Sequence, residues 1–164
     1  MQKFINPTWD NFYEHLDYEE SLFRDPDQVK IWELAGHNLS STSIFVYQTE
    51  DVLLFSEIVK NFPSLKNIGV CVHKLPPGHY LPTHIDKYGF YKTRYNIKDV
   101  SKIHRYIIFL EDCKDGHYLK VGDIIHQNWK KGDCVGWTGE TPHSAINLGI
   151  EDRYTLQITG YYED

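Results

Sequence analysis

Sulfur is scarce in this chain of 164 residues, which holds one methionine and three cysteines. Cys71, Cys113 and Cys134 are far apart and odd in number, and no C-x-x-C occurs; this argues against a cysteine-based zinc site or a thiol redox pair. Free thiols of this kind belong in a reducing compartment, so a cytoplasmic protein is expected. No apolar run approaches the ~20 residues that a membrane helix needs. The opening Met1-Gln2-Lys3-Phe4-Ile5-Asn6 lacks the core of a signal peptide and the character of a transit peptide. Positive charge is in deficit too. Seventeen basic against 23 acidic residues leave a formal charge of −6, which argues against a generic nucleic-acid coat or a basic membrane binder, since both need net positive charge to displace counterions. Repeats, low-complexity tracts and Gly/Ser linkers are missing as well, and the length suits one domain with a real core, so 1–164 reads as a single domain.

What the chain does have is 15% aromatic residues and nine histidines. Its first 66 residues read as a helical support. Asn6-Pro7-Thr8-Trp9 is a helix-start signal, with Trp9, Phe12, Tyr13 and Leu16 following at helical spacing. A second short helix is expected over Asp27–Ala35, closed by Gly36, and a third over Glu50–Phe62, stopped by Pro63. From residue 67 to 162 the period changes. Short strands are expected at Ile68–Val72, Ile103–Leu110, Tyr118–Val121, Ile124–His126, Cys134–Trp137 and Tyr154–Ile158, separated by turns such as Leu75-Pro76-Pro77-Gly78 and Lys131-Gly132-Asp133. The pattern predicts a mainly β fold, a jelly roll or barrel with the N-terminal helices packed outside.

The histidines become informative through spacing. Two H-x-D triplets occur, His15-Leu16-Asp17 and His84-Ile85-Asp86. The first lies in a helical pattern, where positions i and i+2 point about 200° apart and cannot share a metal. The second follows a Pro-rich turn into an extended stretch, where i and i+2 emerge on one face. A third ligand is then needed, and His143, in Pro142-His143-Ser144-Ala145, is the natural candidate, 57 residues after Asp86 and so expected at the opposite end of a rolled sheet. Two histidines and a carboxylate on one side of an octahedron leave three positions open, as in non-haem iron(II) oxygenases. Ten residues beyond His143 comes Arg153-Tyr154-Thr155, whose guanidinium and hydroxyl share one strand face. Together they can hold a carboxylate.

On these residues the chain resembles the iron(II)- and 2-oxoglutarate-dependent dioxygenases, whose pattern of H-x-D, a distal H and then R-x-S/T is met by His84, Asp86, His143, Arg153 and Thr155. His104-Arg105-Tyr106 opening a strand, Gly132-Asp133 before Trp137, and Pro142-His143-Ser144-Ala145-x-Asn147 are also similar to that family. The likeness spans residues ~67–162 and is nearest to the small prolyl-hydroxylase-like and aspartyl/asparaginyl-hydroxylase-like branches. It implies a double-stranded β-helix of cupin-like form and Fe(II) held by His84, Asp86 and His143. It further implies 2-oxoglutarate gripped by Arg153 and Thr155, O2 as second cosubstrate, and release of succinate and CO2 as substrate is hydroxylated. Two other readings are a cupin-like metalloenzyme that does not use 2-oxoglutarate and a non-enzymatic β-sandwich binding module.

Residues 87–105 hold six basic residues and one acidic, a net of +5 against −11 for the rest of the chain. Tyr88, Phe90, Tyr91 and Tyr95 interleave with the charges, so this stretch reads as a lid or substrate-binding loop beside the metal pair, with Tyr88, Tyr91, Arg94, Tyr95 and Arg105 as candidate substrate residues. A peptide side chain or free amino acid is the expected substrate, ahead of nucleic acid, because the remainder of the chain is acidic.

Overall fold

The computed structural model describes residues 2–21, 25–49 and 51–162. Eleven strands are present among them: β1 (Gln2–Phe4), β2 (Glu19–Glu20), β3 (Phe45–Thr49), β4 (Lys66–Leu75), β5 (Tyr80–His84), β6 (Ile103–Phe109), β7 (His117–Val121), β8 (Ile124–His126), β9 (Asp133–Thr138), β10 (His143–Asn147) and β11 (Arg153–Tyr161). They form a seven-stranded sheet in the order β1-β9-β6-β11-β4-β3-β2 and a four-stranded sheet in the order β5-β10-β7-β8. From β4 onward the chain passes back and forth between the two sheets. This alternation rolls it into a double-stranded β-helix, a mainly β jelly roll of cupin-like form.

Strand parity sets what each face holds. On β11, Tyr154, Leu156 and Ile158 point outward and join Val70, Val72, Tyr106 and Ile108 in a core covered by Tyr13, Phe55, Ile58 and Phe62 from the N-terminal segments. The other parity faces the four-stranded sheet. There Leu75, Ile107, Phe109, Val135 and Trp137 meet Leu119 and Ala145, with the Trp129 ring stacked on Phe109 at 4.0 Å. Each such side chain contributes about 1.5–3 kcal/mol by burial. From Tyr106 to Phe109 apolar residues fill both faces of β6, which is why this part of the strand shows an unbroken run instead of an alternation.

The N-terminal third is less helical than its pattern predicts. Over Trp9–Leu16 a single 3-10 turn forms at Phe12–His15; Trp9 instead sends its indole N–H to the Leu110 carbonyl at 3.0 Å, and Leu16 is extended. The second helix forms as expected: α1 (Pro26–Leu34) is capped by the Asp25 carboxylate, which accepts from the backbone of Asp27 and Gln28, and the chain leaves it through Gly36 at φ +81°. Of the third, Glu50 lies outside the described residues. The remainder splits into a 3-10 turn, Val52–Phe55, and the one-turn helix α2 (Ser56–Val59). In place of a wholly helical support, β1, β2 and β3 extend the large sheet at both edges. Gly132 shows why β1 docks where it does. It sits at φ +94°, accepts a backbone bond from Ile5, and a Cβ there would come within 2.3 Å of the Ile5 carbonyl oxygen.

Candidate metal centre

His84 ends β5 and His143 opens β10, and the two face each other as direct antiparallel partners. They are therefore neighbours on adjacent strands and do not lie at opposite ends of the rolled sheet, because the jelly roll returns the chain beside β5 59 residues after His84. Their rings are 4.3 Å apart between centroids. Asp86 lies just past the end of β5 and brings Oδ2 to within 3.3 Å of His143 Nε2. The ligand atoms of His84, Asp86 and His143 all lie within 4.8 Å of one another, so one ion can meet all three. The other triplet, at His15 and Asp17, belongs to no such cluster among the described residues.

Tautomer and charge both suit a cation. His84 Nδ1 donates to the Pro82 carbonyl at 2.8 Å, and His143 Nδ1 donates to the Thr141 carbonyl at 2.9 Å. A carbonyl can only accept, so each Nδ1 carries the proton and each Nε2 presents a lone pair. Burial pushes the His143 imidazole down to about 4 against the pull of Asp86, so it is neutral at ordinary pH. For Asp86 burial opposes ionisation, but the Arg105 guanidinium, through its charge and its hydrogen bond, outweighs it and holds the carboxyl below the usual range. Two imidazole Nε2 atoms and one carboxylate are a donor set that suits a first-row divalent ion such as iron(II).

Helix α1 holds this segment from outside. Gln28 Nε2 donates to the Ile85 carbonyl at 2.8 Å, and Trp32 Nε1 reaches the Thr83 carbonyl at 3.4 Å, its ring standing edge-on to His84. Lys87, directly after Asp86, pairs with Asp25 at 2.5 Å and with Asp27 at 3.6 Å. Every residue from Thr83 to Lys87 except His84 and Asp86 themselves is thus tied to the helix by backbone or side chain. No sequence pattern pointed to Gln28 or Trp32, since the α1 side chains involved are polar or aromatic residues of ordinary helical spacing.

Arg153 and Thr155 open β11 with their side chains on the interior face, 3% and 1% exposed. The Arg153 guanidinium lies 5.3 Å from the centre of the Trp129 ring, yet its Nε and Nη2 are buried without a hydrogen-bond partner. Burial lowers it to about 10, which leaves it charged. A buried cation with donors unused is costly unless an anion meets it, so a carboxylate entering here fits the site. His73, on β4, pairs directly with Thr155 and feels both Arg105 and Arg153; burial, with these charges, drives it down to about 3 and keeps it neutral. Its parity with Cys71 and Leu75 on β4 is the signal that places it inside.

The basic segment is not a loop. Tyr88, at φ +51°, turns the chain into α3 (Gly89–Tyr95), a 3-10 turn follows at Val100–Lys102, and Ile103–Arg105 already belong to β6. Of the five candidate substrate residues, Tyr88 and Arg105 stand beside the triad. Arg105 Nη1 bonds Asp86 Oδ2, and its guanidinium lies 5.0 Å from the Tyr88 ring centre. The other three turn elsewhere: Tyr91 donates to the Asn67 carbonyl at 2.8 Å, Tyr95 packs edge-on against Tyr91, and Arg94 lies over Tyr95. The helical turn carries them toward the start of β4. Trp137 belongs to the interior core and also lines the site, 4.8 Å from the His143 ring.

The fold has many solved counterparts. A prolyl-4-hydroxylase from Pseudomonas putida superposes with a TM-score of 0.52 at 14% identity, covering 93% of this chain and 96% of its own. A putative sugar phosphate isomerase from Acidithiobacillus ferrooxidans gives 0.51 at 15% identity, over 92% and 71% of the two chains. A Klebsiella pneumoniae protein with a double-stranded β-helix domain gives 0.42 at 15% identity, over 61% and 72%. No family model matches the chain. No curated protein matches it significantly in sequence. At such identities the likeness carries the fold alone: a cupin-like β-helix with a His-Asp-His cluster able to hold a metal ion.

Proposed function

We propose that this protein is an iron(II)- and 2-oxoglutarate-dependent dioxygenase that hydroxylates a peptide side chain or an amino acid. The observation that carries the reading is Arg153: a charged guanidinium inside the barrel, with Nε and Nη2 unpartnered, ten residues after a histidine of the triad. A buried charge with unused donors calls for an anion, which a carboxylate cosubstrate supplies. The P. putida counterpart is itself a prolyl-4-hydroxylase, which supports the reading without deciding it.

Iron(II) with 2-oxoglutarate supplies, when bound, the oxidation of a C–H bond by O2 with release of succinate and CO2. The chain's own residues do the rest. His84 and His143 offer Nε2 lone pairs, oriented by the Pro82 and Thr141 carbonyls, and Asp86 offers one carboxylate oxygen while Arg105 holds the carboxyl from the side. These three residues would hold the ion by two nitrogens and one oxygen. Arg153 and Thr155 take the 5-carboxylate of the cosubstrate, and Trp129, Phe109 and Leu119 keep water from that end of the barrel. The three free thiols suit work in the cytoplasm.

Anaerobic reconstitution with Fe(II) and 2-oxoglutarate tests the proposal through the visible metal-to-ligand charge-transfer band. A band in the wild type that Arg153→Ala removes is the expected result. Metal binding with no band, or a band that Arg153→Ala leaves intact, overturns the cosubstrate assignment and leaves a cupin-like metalloprotein of another class.

A further inference from the structure

Three buried donors stand near the triad, Arg105 Nε, the Tyr88 hydroxyl and Trp137 Nε1, and none has a hydrogen-bond partner outside this group among the described residues. They share one wall. Arg105 and Trp137 are direct cross-strand partners on β6 and β9, the Arg105 guanidinium lies over the Tyr88 ring, and the Trp137 indole is close enough to act on the Tyr88 phenol. The phenol oxygen can take the indole N–H, which leaves Arg105 Nε and the Tyr88 O–H as donors with no acceptor, a place for an anion.

Register puts this wall on the other side of the triad from Arg153. Arg105 pairs with Thr159 on β11, six residues beyond Arg153, which is about 20 Å along the strand. In the small sheet, Asn147 bonds the Leu75 carbonyl at the level of Arg153, and His143 lies four residues further toward the Arg105 end. The metal ligands therefore stand between the two arginines. A cosubstrate anchored on Arg153 and reaching the ion approaches from one side, and Arg105 addresses what comes from the other.

Charge leads to the same place. A divalent ion and a dianionic cosubstrate add no net charge, and Asp86 offsets one arginine. His73 is neutral. One guanidinium is left uncompensated in a site where the Arg105 and Asp86 side chains are only 16% and 19% exposed. Such a charge is costly to keep unpaired.

We propose that Arg105, with the Tyr88 hydroxyl that Trp137 orients, forms a subsite for a carboxylate on the prime substrate, so that the enzyme selects a carboxylate-bearing molecule. This rests on the dioxygenase reading above. The subsite explains why an arginine occupies an interior strand position next to a metal-ligand carboxylate, where a neutral residue would leave Asp86 free for the ion alone.

The test is calorimetric and needs no turnover. Protein loaded with Mn(II) and saturated with 2-oxoglutarate is titrated with N-acetylglycine, N-acetylaspartate α-amide and N-acetylglutamate α-amide, each beside its uncharged amide. At least one acid is expected to bind about 10–100-fold more tightly than its amide, the range of a charge-assisted hydrogen bond. Which acid does so separates a terminal from a side-chain carboxylate. Arg105→Met removes the preference, and Tyr88→Phe, which leaves the Asp86 contact alone, reduces it several-fold. Equal binding of all three acids and their amides overturns the subsite. So does a loss confined to Mn(II) affinity in Arg105→Met, which assigns Arg105 to positioning Asp86, or a loss confined to 2-oxoglutarate, which assigns it to the cosubstrate. Failure of the dioxygenase reading is seen separately, as no heat with 2-oxoglutarate in the wild type.

Discussion

Trp32 in α1 stands edge-on to His84, ring centres 6.0 Å apart, and binds the backbone carbonyl one residue before it. A helix outside the β-helix thus fixes the direction of a side chain inside it. With Gln28 on the Ile85 carbonyl and Asp25 on Lys87, α1 holds the segment that carries both ligands of the H-x-D pair.

Loosening that hold is expected to act on metal affinity before stability. Gln28→Ala removes one hydrogen bond at an exposed position, costing about 0.5–1.5 kcal/mol of folding free energy. Mn(II) affinity, read by calorimetry, should fall several-fold, because Ile85 then no longer holds His84 and Asp86 in register. Unchanged affinity would show that the β5–β10 pairing alone suffices.

Replacing a ligand separates binding from folding in the opposite way. His84→Ala should leave the metal-free melting temperature within a few degrees of wild type. It should also abolish the rise that Mn(II) gives, about 2.7 kcal/mol at a hundred times the dissociation constant. A rise that persists in His84→Ala and His143→Ala places the ion elsewhere.

Arg153→Met should give a protein as stable as the wild type or more so, by roughly 1–3 kcal/mol, because a buried guanidinium with unused donors is replaced by an apolar chain of similar length. The same variant should lose stabilisation by 2-oxoglutarate. Chemical denaturation with and without the cosubstrate checks both. Marked destabilisation without ligand would mean that the stacking on Trp129 matters more than the unpaired donors.

Acid should unfold the metal-free protein earlier than its core predicts. His73 and His143 are held at about 3 and about 4, below the ordinary value near 6.5, mainly by burial. The unfolded chain therefore binds more protons between those limits, so stability is full above about pH 6.5 and falls as pH drops toward 3. The depressed carboxyl of Asp86 adds to the loss at the low end of that window. Denaturation midpoints across pH should decline by the equivalent of a few kcal/mol. His73→Leu should flatten the curve, and a curve unchanged by that substitution would place His73 in contact with water.

The strands of the rolled core were readable where one face is apolar and turns are marked, as at β7, β8 and β9. Residues 9–16 and 52–62 misled because their apolar spacing serves to cover a sheet, and covering a sheet requires side chains on one side without requiring a continuous helix. β3 and β10 went unmarked. Asn147 interrupts the pattern of β10 because a barrel interior accepts a polar residue whose bonds are made, here to the Leu75 and Glu151 carbonyls, and Gln48 interrupts that of β3 because it faces solvent.

By itself the sequence determined the donor types and their order: His84 and Asp86 two residues apart after a turn, His143 far beyond, Arg153 ten residues later, each legible because short spacings on extended chain fix a common face. Only the tertiary structure decided that His84 and His143 are cross-strand neighbours, that α1 clamps the loop between ligands, and that Arg105 and Arg153 stand on opposite sides of the triad. The physical reason is that a face is a local property of backbone geometry, whereas pairing depends on which strands the roll brings together. That choice is made by burying both cores at once.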